Sequence, residues 1–184
     1  MTALDHAMRW IHGEMVEGGV AIAFGLLLVL CSGLLWKFGE SAAARAMVVP
    51  LLAVGGAIAV LCTVMEVNNV LRVEAFRQAH ALDPSAFAEQ EIERVQGFMG
   101  WYRYTFAGGA LLVVGGLAVF LMRGASTAKA VGLAMIVLGA TALHFDFFSK
   151  ARATRYLDEL TVLVRGEAGA DAAEAMNGLG ADQH

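Results

Sequence analysis

Charge is what this sequence has least of. Only 16% of its 184 residues are Asp, Glu, Lys or Arg, while 58% are hydrophobic. A soluble domain carries about 25% charged and roughly 45–50% apolar residues, so an ordinary water-soluble globule is excluded. Cysteine is almost as scarce, with Cys31 and Cys62 alone. They sit in consecutive apolar stretches that run in opposite directions, which separates them in depth by about 13 Å at 1.5 Å per residue. A disulfide needs Cα atoms within about 7 Å, so both read as small core residues. The basic n-region of a cleaved signal is missing too. Asp5, Glu14 and Glu17 occupy that region and no small-residue cleavage site follows, so the first span is expected to be retained.

What is present is long uncharged runs. Gly18–Trp36, Ala46–Met65, Thr105–Met122 and Ala130–Leu143 contain no Asp, Glu, Lys, Arg or His, and Phe145, Phe147 and Phe148 extend the last. About 20 apolar residues in a helix cross a hydrocarbon core of roughly 30 Å. Nothing alternates as a barrel strand would, and lipid leaves backbone groups no other partner than the helix itself. The expected fold is all-α, an integral membrane four-helix antiparallel bundle. Its spans are expected at 15–37, 47–71, 98–122 and 129–149, within one domain of residues 1–165. Residues 166–184 hold Glu167, Asp171, Glu174 and Asp182 among Gly and Ala, and read as a disordered acidic tail.

Four spans put both termini on one side, here side A, opposite side B. Side B holds two short turns around residues 37–45 and 123–129. Side A holds a connection of about 30 residues, in which Asp83-Pro84 starts a helix expected to run into the third span. That piece, taken as 73–97, is too short to bury a core of its own, so no soluble domain is expected. Glu89, Glu91, Glu93 and Arg94 read as its exposed surface. Residues 150–164 read as helix leaving the bilayer or lying on it. Nine Lys and Arg lie at side A and four at side B, which places side A in the cytoplasm of an inner or plasma membrane. Glycine doublets at 18–19, 55–56, 108–109 and 115–116 predict close helix packing without a wide pore. Runs opening Glu17-Gly18-Gly19 and Ala107-Gly108-Gly109 echo each other at an offset of 90 residues.

The polar residues gather at side A. His12, Glu14 and Glu17 open the first span, and Glu66, Asn68, Asn69 and Arg72 close the second. Tyr102, Arg103 and Tyr104 open the third, while His144, Asp146 and Lys150 close the fourth. An ionisable residue inside a span is costly and marks function by default. Glu17, Glu66, Asn69, Arg103 and His144 are therefore the candidate catalytic set. Glu17 or Glu66 would accept a proton, Arg103 would stabilise negative charge and His144 would shuttle protons or bind metal. His144 and Asp146 lie about 200° apart on a helix, so only one faces a pocket. His144 is kept, and Asp146 is assigned to Lys150 four residues on. Arg152, outside the spans, is expected to stay solvated. His12, Trp101, Tyr102, Tyr104 and Asp146 form a secondary set.

Carboxylates with imidazole suit iron, manganese or zinc, with Glu17, Glu66 and His144 as candidate ligands. Haem would need His12 with His144, and a cofactor-free site is the third option. These stay open. The side B half offers only Ser32, which argues against a transmembrane pathway. The expected function is a small membrane enzyme taking a lipophilic small molecule at side A. The alternatives are a subunit docking a membrane partner through its charged side, or a transporter or channel component. A homo-oligomer is compatible with these readings, and no nucleic acid is expected.

Glu66-Val67-Asn68-Asn69-Val70-Leu71, a loop of about 30 residues, and Trp101-Tyr102-Arg103-Tyr104 resemble the small four-span membrane family that includes the anthrone oxygenases. The resemblance covers about a quarter of the chain. It implies an oxidoreductase acting on a lipophilic aromatic substrate, with Asn69, Trp101 and Arg103 as site residues. His12, Glu14 and Glu17 in the first span depart from the pattern, and His144-Phe145-Asp146 has no counterpart in it.

Overall fold

Five helices account for the chain in the computed structural model: α1 Ala3–Phe38, α2 Ala42–Leu82, α3 Pro84–Met99, α4 Tyr102–Leu121 and α5 Ser126–Ala181. It describes the backbone of residues 1–122 and 124–181, with the side chains of Glu167 and of 171–181 left outside the description. Four helical stretches are long and apolar enough to cross a membrane: α1, α2, Pro84–Leu121 and Ser126–Ala170 of α5. The expected all-α four-helix antiparallel bundle is the architecture found. Helix α5 continues to Ala181, into the region read as a disordered acidic tail, of which residues 182–184 and most side chains lie outside the description.

The helices start earlier and end later than the apolar runs. Thr2 caps α1 by accepting from the Asp5 N–H at 3.2 Å, while Asp5 accepts from the Thr2 N–H at 2.8 Å. This reciprocal capping box fixes a start well before residue 15. Asp83 accepts from Ala86 N–H at 2.9 Å and Pro84 opens α3, as the sequence indicated. As expected, this helix runs into the third span, as one helical stretch Pro84–Leu121. Gly100 and Trp101 form a turn between α3 and α4.

Within the spans, helices pair as two hairpins sealed by glycine. A Cβ on Gly25 would lie 2.7 Å from Gly55 O and 2.8 Å from Ala59 N. A Cβ on Gly116 would lie 2.6 Å from Gly132 O and 2.9 Å from Ile136 N. In lipid, where no hydrophobic effect drives helices together, such backbone approach supplies the packing. One glycine of a doublet faces its partner helix while Gly19, Gly56 and Gly108 meet open space. Neighbours about 100° apart on a helix cannot share a face. Gly18 and Gly25 in α1 match Gly109 and Gly116 in α4, so the internal echo has an offset of 91 rather than 90. The hairpins meet along α5, which packs on both α1 and α2, while α4 packs chiefly on α5.

Beyond the spans on side A, four segments share one core, which residues 73–97 do not bury by themselves. Ala3, Ala7, Trp10 and Ile11 of α1 recur at helical spacing and are buried. They pack with Phe76 of α2, Phe87 and Val95 of α3, and Tyr156 and Leu160 of α5. Each segment is too short to bury a core alone; together they enclose one. Trp10 stacks on Tyr156 with ring centroids 5.5 Å apart. Glu91, read as surface, is 5% exposed. It accepts two bonds from Arg94, at 2.8 and 2.7 Å, and one from Tyr156 O–H at 3.0 Å. The Arg94 guanidinium lies over the rings of Trp10, Phe98 and Phe76 at 5.0, 5.4 and 5.6 Å. Burial, with Glu91 beside it, holds the Tyr156 phenol well above its usual range.

Candidate functional site

Three helices converge at the side A end of the spans and bring their acids together. Glu14 and Glu17 are three apart on α1, and so share a face. Glu66 and Asn69 do the same on α2, with Cys62 one turn below. On α5 the series Asp146, Ser149, Arg152 repeats the spacing of three. These faces bound a cavity of about 260 Å³ lined by Glu14, Glu17, Glu66, Asn69, Asp146 and Cys62. Its walls are otherwise mostly apolar and include Ile58, Leu61, Met65, Leu138 and Phe145. Leu61 and Met65 are 63% and 58% exposed, which puts them on an edge facing lipid.

Among the described residues, Arg152 is the cation paired with these acids. Arg152 donates from Nε to Glu14 Oε1 at 2.9 Å and its Nη2 pairs with Glu17. Its stem lies over Gly13, where a Cβ would come within 2.8 Å of Arg152 Cδ. Ser149 donates to the other Glu14 oxygen at 3.1 Å, and its hydroxyl shares a 2.8 Å hydrogen bond with that of Tyr102 on α4. The Glu14 and Glu17 side chains are 14% and 12% exposed. Glu66 rests its carboxylate against the bare backbone of Gly18, in the space a side chain there would fill. Leu143 stands against Gly109 in the same way in the second hairpin, so the two hairpins differ by a carboxylate at this position. Glu17 Oε1 and Asp146 Oδ2 are buried without a hydrogen-bond partner.

Glu17, Glu66 and Asn69 of the candidate set thus come together, whereas Arg103 and His144 do not join them. Arg103 is exposed, donates to its neighbour Tyr104 Oη at 2.7 Å and lies over that ring at 4.6 Å. Trp101 is 67% exposed beside Tyr104. The reason is packing: α4 meets the bundle chiefly through α5, so this part of its surface turns outward. His144 is exposed against Phe148, with centroids 4.8 Å apart, and shares an outer groove with His12. Asp146 takes the inward place instead, so the choice between the two made from sequence is reversed. Lys150 does not pair with Asp146; its ammonium stands over Phe106 at 5.8 Å. Arg152, expected to be solvated, holds the counterion position assigned to Arg103. The spacing of Asp146, Ser149 and Arg152 was the available signal for it.

Among the described residues, no group of three or more His, Cys, Asp and Glu side chains is placed to hold a metal ion. Glu17, Glu66 and His144 therefore do not form the ligand set considered from the sequence. No family model, curated protein or solved structure matches this chain. The resemblance to the anthrone oxygenases rests on its quoted residues alone, of which Asn69 lines the cavity while Trp101 and Arg103 face away.

Proposed function

We propose that this protein takes a lipophilic molecule from the bilayer and handles its cationic or hydrogen-bond-donating head in the side A cavity. The observation that carries this reading is the charge balance there. Four carboxylates, Glu14, Glu17, Glu66 and Asp146, line the cavity, and among the described residues the cation paired with any of them is Arg152, held by Glu14 and Glu17. Such a site favours a head that brings positive charge or donates hydrogen bonds. It disfavours the developing anion that Arg103 was expected to stabilise. Glu66 and Asp146, free of the arginine, are the proton acceptors in an enzymatic version of the same reading. The apolar walls and the lipid-facing Leu61 and Met65 suit a tail that stays in the bilayer.

A through-going path is not favoured. Ser32 spends its hydroxyl on Val48 O at 2.7 Å, and the Gly25–Gly55 crossing brings backbones together below the cavity. Without Arg152, which belongs to the site, Lys and Arg still number eight at side A against four at side B, so we place side A in the cytoplasm.

Cys62 is a built-in reporter of occupancy. In liposomes carrying the Cys31→Ser protein, a long-chain alkylamine should slow N-ethylmaleimide modification of Cys62, while the fatty acid of equal length should not. Glu66→Gln should weaken that protection roughly 10- to 100-fold, the equivalent of a charge-assisted hydrogen bond of about 1.5–3 kcal/mol. Equal protection by both amphiphiles, or by neither, would sink the reading.

A further inference from the structure

Glu17 borders three spaces at once, and among the described residues no other side chain lines all three. On its inner side lies the carboxylate cavity. On its outer side a groove of about 510 Å³ passes His12 and Arg152, and a recess of about 350 Å³ lies beside Val20 and Phe24. His144 lines both outer spaces. Thr141 and Phe145 line both the recess and the cavity, so together with Glu17 they form the partition. Of these, only Glu17 carries an ionisable group. Arg152 holds one of its oxygens, and the other, Oε1, is buried without a partner.

We propose that Glu17 passes protons between the inner cavity and His144 in the outer groove. This rests on the reading of the cavity as the place where a head group is held. A proton leaves the bound head, or a carboxylic acid of the cavity, and joins the Glu17 carboxylate. It moves to a ring nitrogen of neutral His144 and leaves the imidazolium for water at side A. Each carrier returns to its starting state, and no electrons are exchanged. Imidazole suits the outer station because its two nitrogens can take and release the proton separately.

The charged surroundings fit a relay rather than a fixed ion pair alone. Glu17 is faced by His12 and Glu14 from its own helix, Glu66 from α2, and His144, Asp146 and Arg152 from α5. Tyr102 of α4 joins this cluster through Ser149, which donates to Glu14. Arg152 pairs with one Glu17 oxygen, and the other is buried without a partner and is the atom placed to take the proton.

The test is a pH jump on the full-length protein in liposomes, with infrared detection of the carboxylic acid band of the cavity and Glu66→Gln as the assignment control. His144→Ala, at an exposed position, should slow cavity protonation about tenfold or more, and free imidazole in the buffer should restore it. Glu17→Gln should slow it similarly with no rescue by imidazole. Protonation of the His144→Ala protein at the unaltered rate, or failure of imidazole to restore it, would overturn the relay. Alkylamine protection of Cys62, measured on the same samples, separates the two proposals. Protection with unaltered rates defeats the relay alone, whereas slowed, imidazole-rescued rates without protection defeat the binding reading alone.

Discussion

Removing Arg152 is the most direct challenge to the site as described. The side chain is 27% exposed and pairs with Glu14 and Glu17, which are 14% and 12% exposed. Arg152→Ala leaves both carboxylates without a cation beside Glu66 and Asp146. Breaking a fully buried pair from one side costs about 3–5 kcal/mol, and partial exposure of the guanidinium reduces this to about 2–4 kcal/mol. For a protein of this size the loss corresponds to a fall in Tm of roughly 5–15 °C. Thermal unfolding in a mild detergent reads it directly. Arg103→Ala supplies the control, because Arg103 is exposed, its hydrogen bond and cation–π contact among the described residues are with Tyr104, and its loss should shift Tm by no more than about 2 °C, as surface charges do. Adding Glu14→Gln and Glu17→Gln to Arg152→Ala should recover most of the loss, since the repulsion disappears with the charges. Equal, small effects of Arg152→Ala and Arg103→Ala would refute the ion-pair reading, as would a double-mutant cycle without coupling.

Two further outcomes test the scaffold around the site. Gly25→Val and Gly116→Val should each cost about 1–3 kcal/mol or prevent hairpin formation, because the new atoms meet backbone that cannot yield, whereas Gly19→Ala and Gly56→Ala should be close to neutral in the same unfolding assay. Stability should also fall as pH rises past about 10, where the unfolded phenol ionises while folded Tyr156, raised above that value, stays protonated; Tyr156→Phe should flatten this alkaline limb of the Tm–pH curve.

The sequence by itself determined the class, the number of crossings and the depth of the polar residues. Those follow from one-dimensional rules: the thickness of the hydrocarbon, the rise per residue and the cost of charge in lipid. It also specified helix faces wherever spacing was three or four, as for Glu14 with Glu17 and Glu66 with Asn69. The capping box at Thr2 and the spacing of Ala3, Ala7, Trp10 and Ile11 also stand in the sequence, although the span was placed from residue 15, and they mark α1 as a helix that starts well before its apolar run. Which face of each helix meets which neighbour was decided by tertiary structure alone. Arg103 has the right depth, but α4 stands at the edge of the bundle on α5 and carries it outward. Asp146 and His144 lie at nearly the same depth, and the rotation of α5 against α1 and α2 points one inward and the other out. Glu91 was read as exposed because its own helix is short and polar; three segments distant in sequence bury it. Depth is a property of one helix in a slab, whereas rotation about the helix axis is fixed by close packing against partners. Here backbone contacts at Gly25, Gly55, Gly116 and Gly132 set that packing within each hairpin, and the meeting of the hairpins along α5 closes the carboxylates around Arg152.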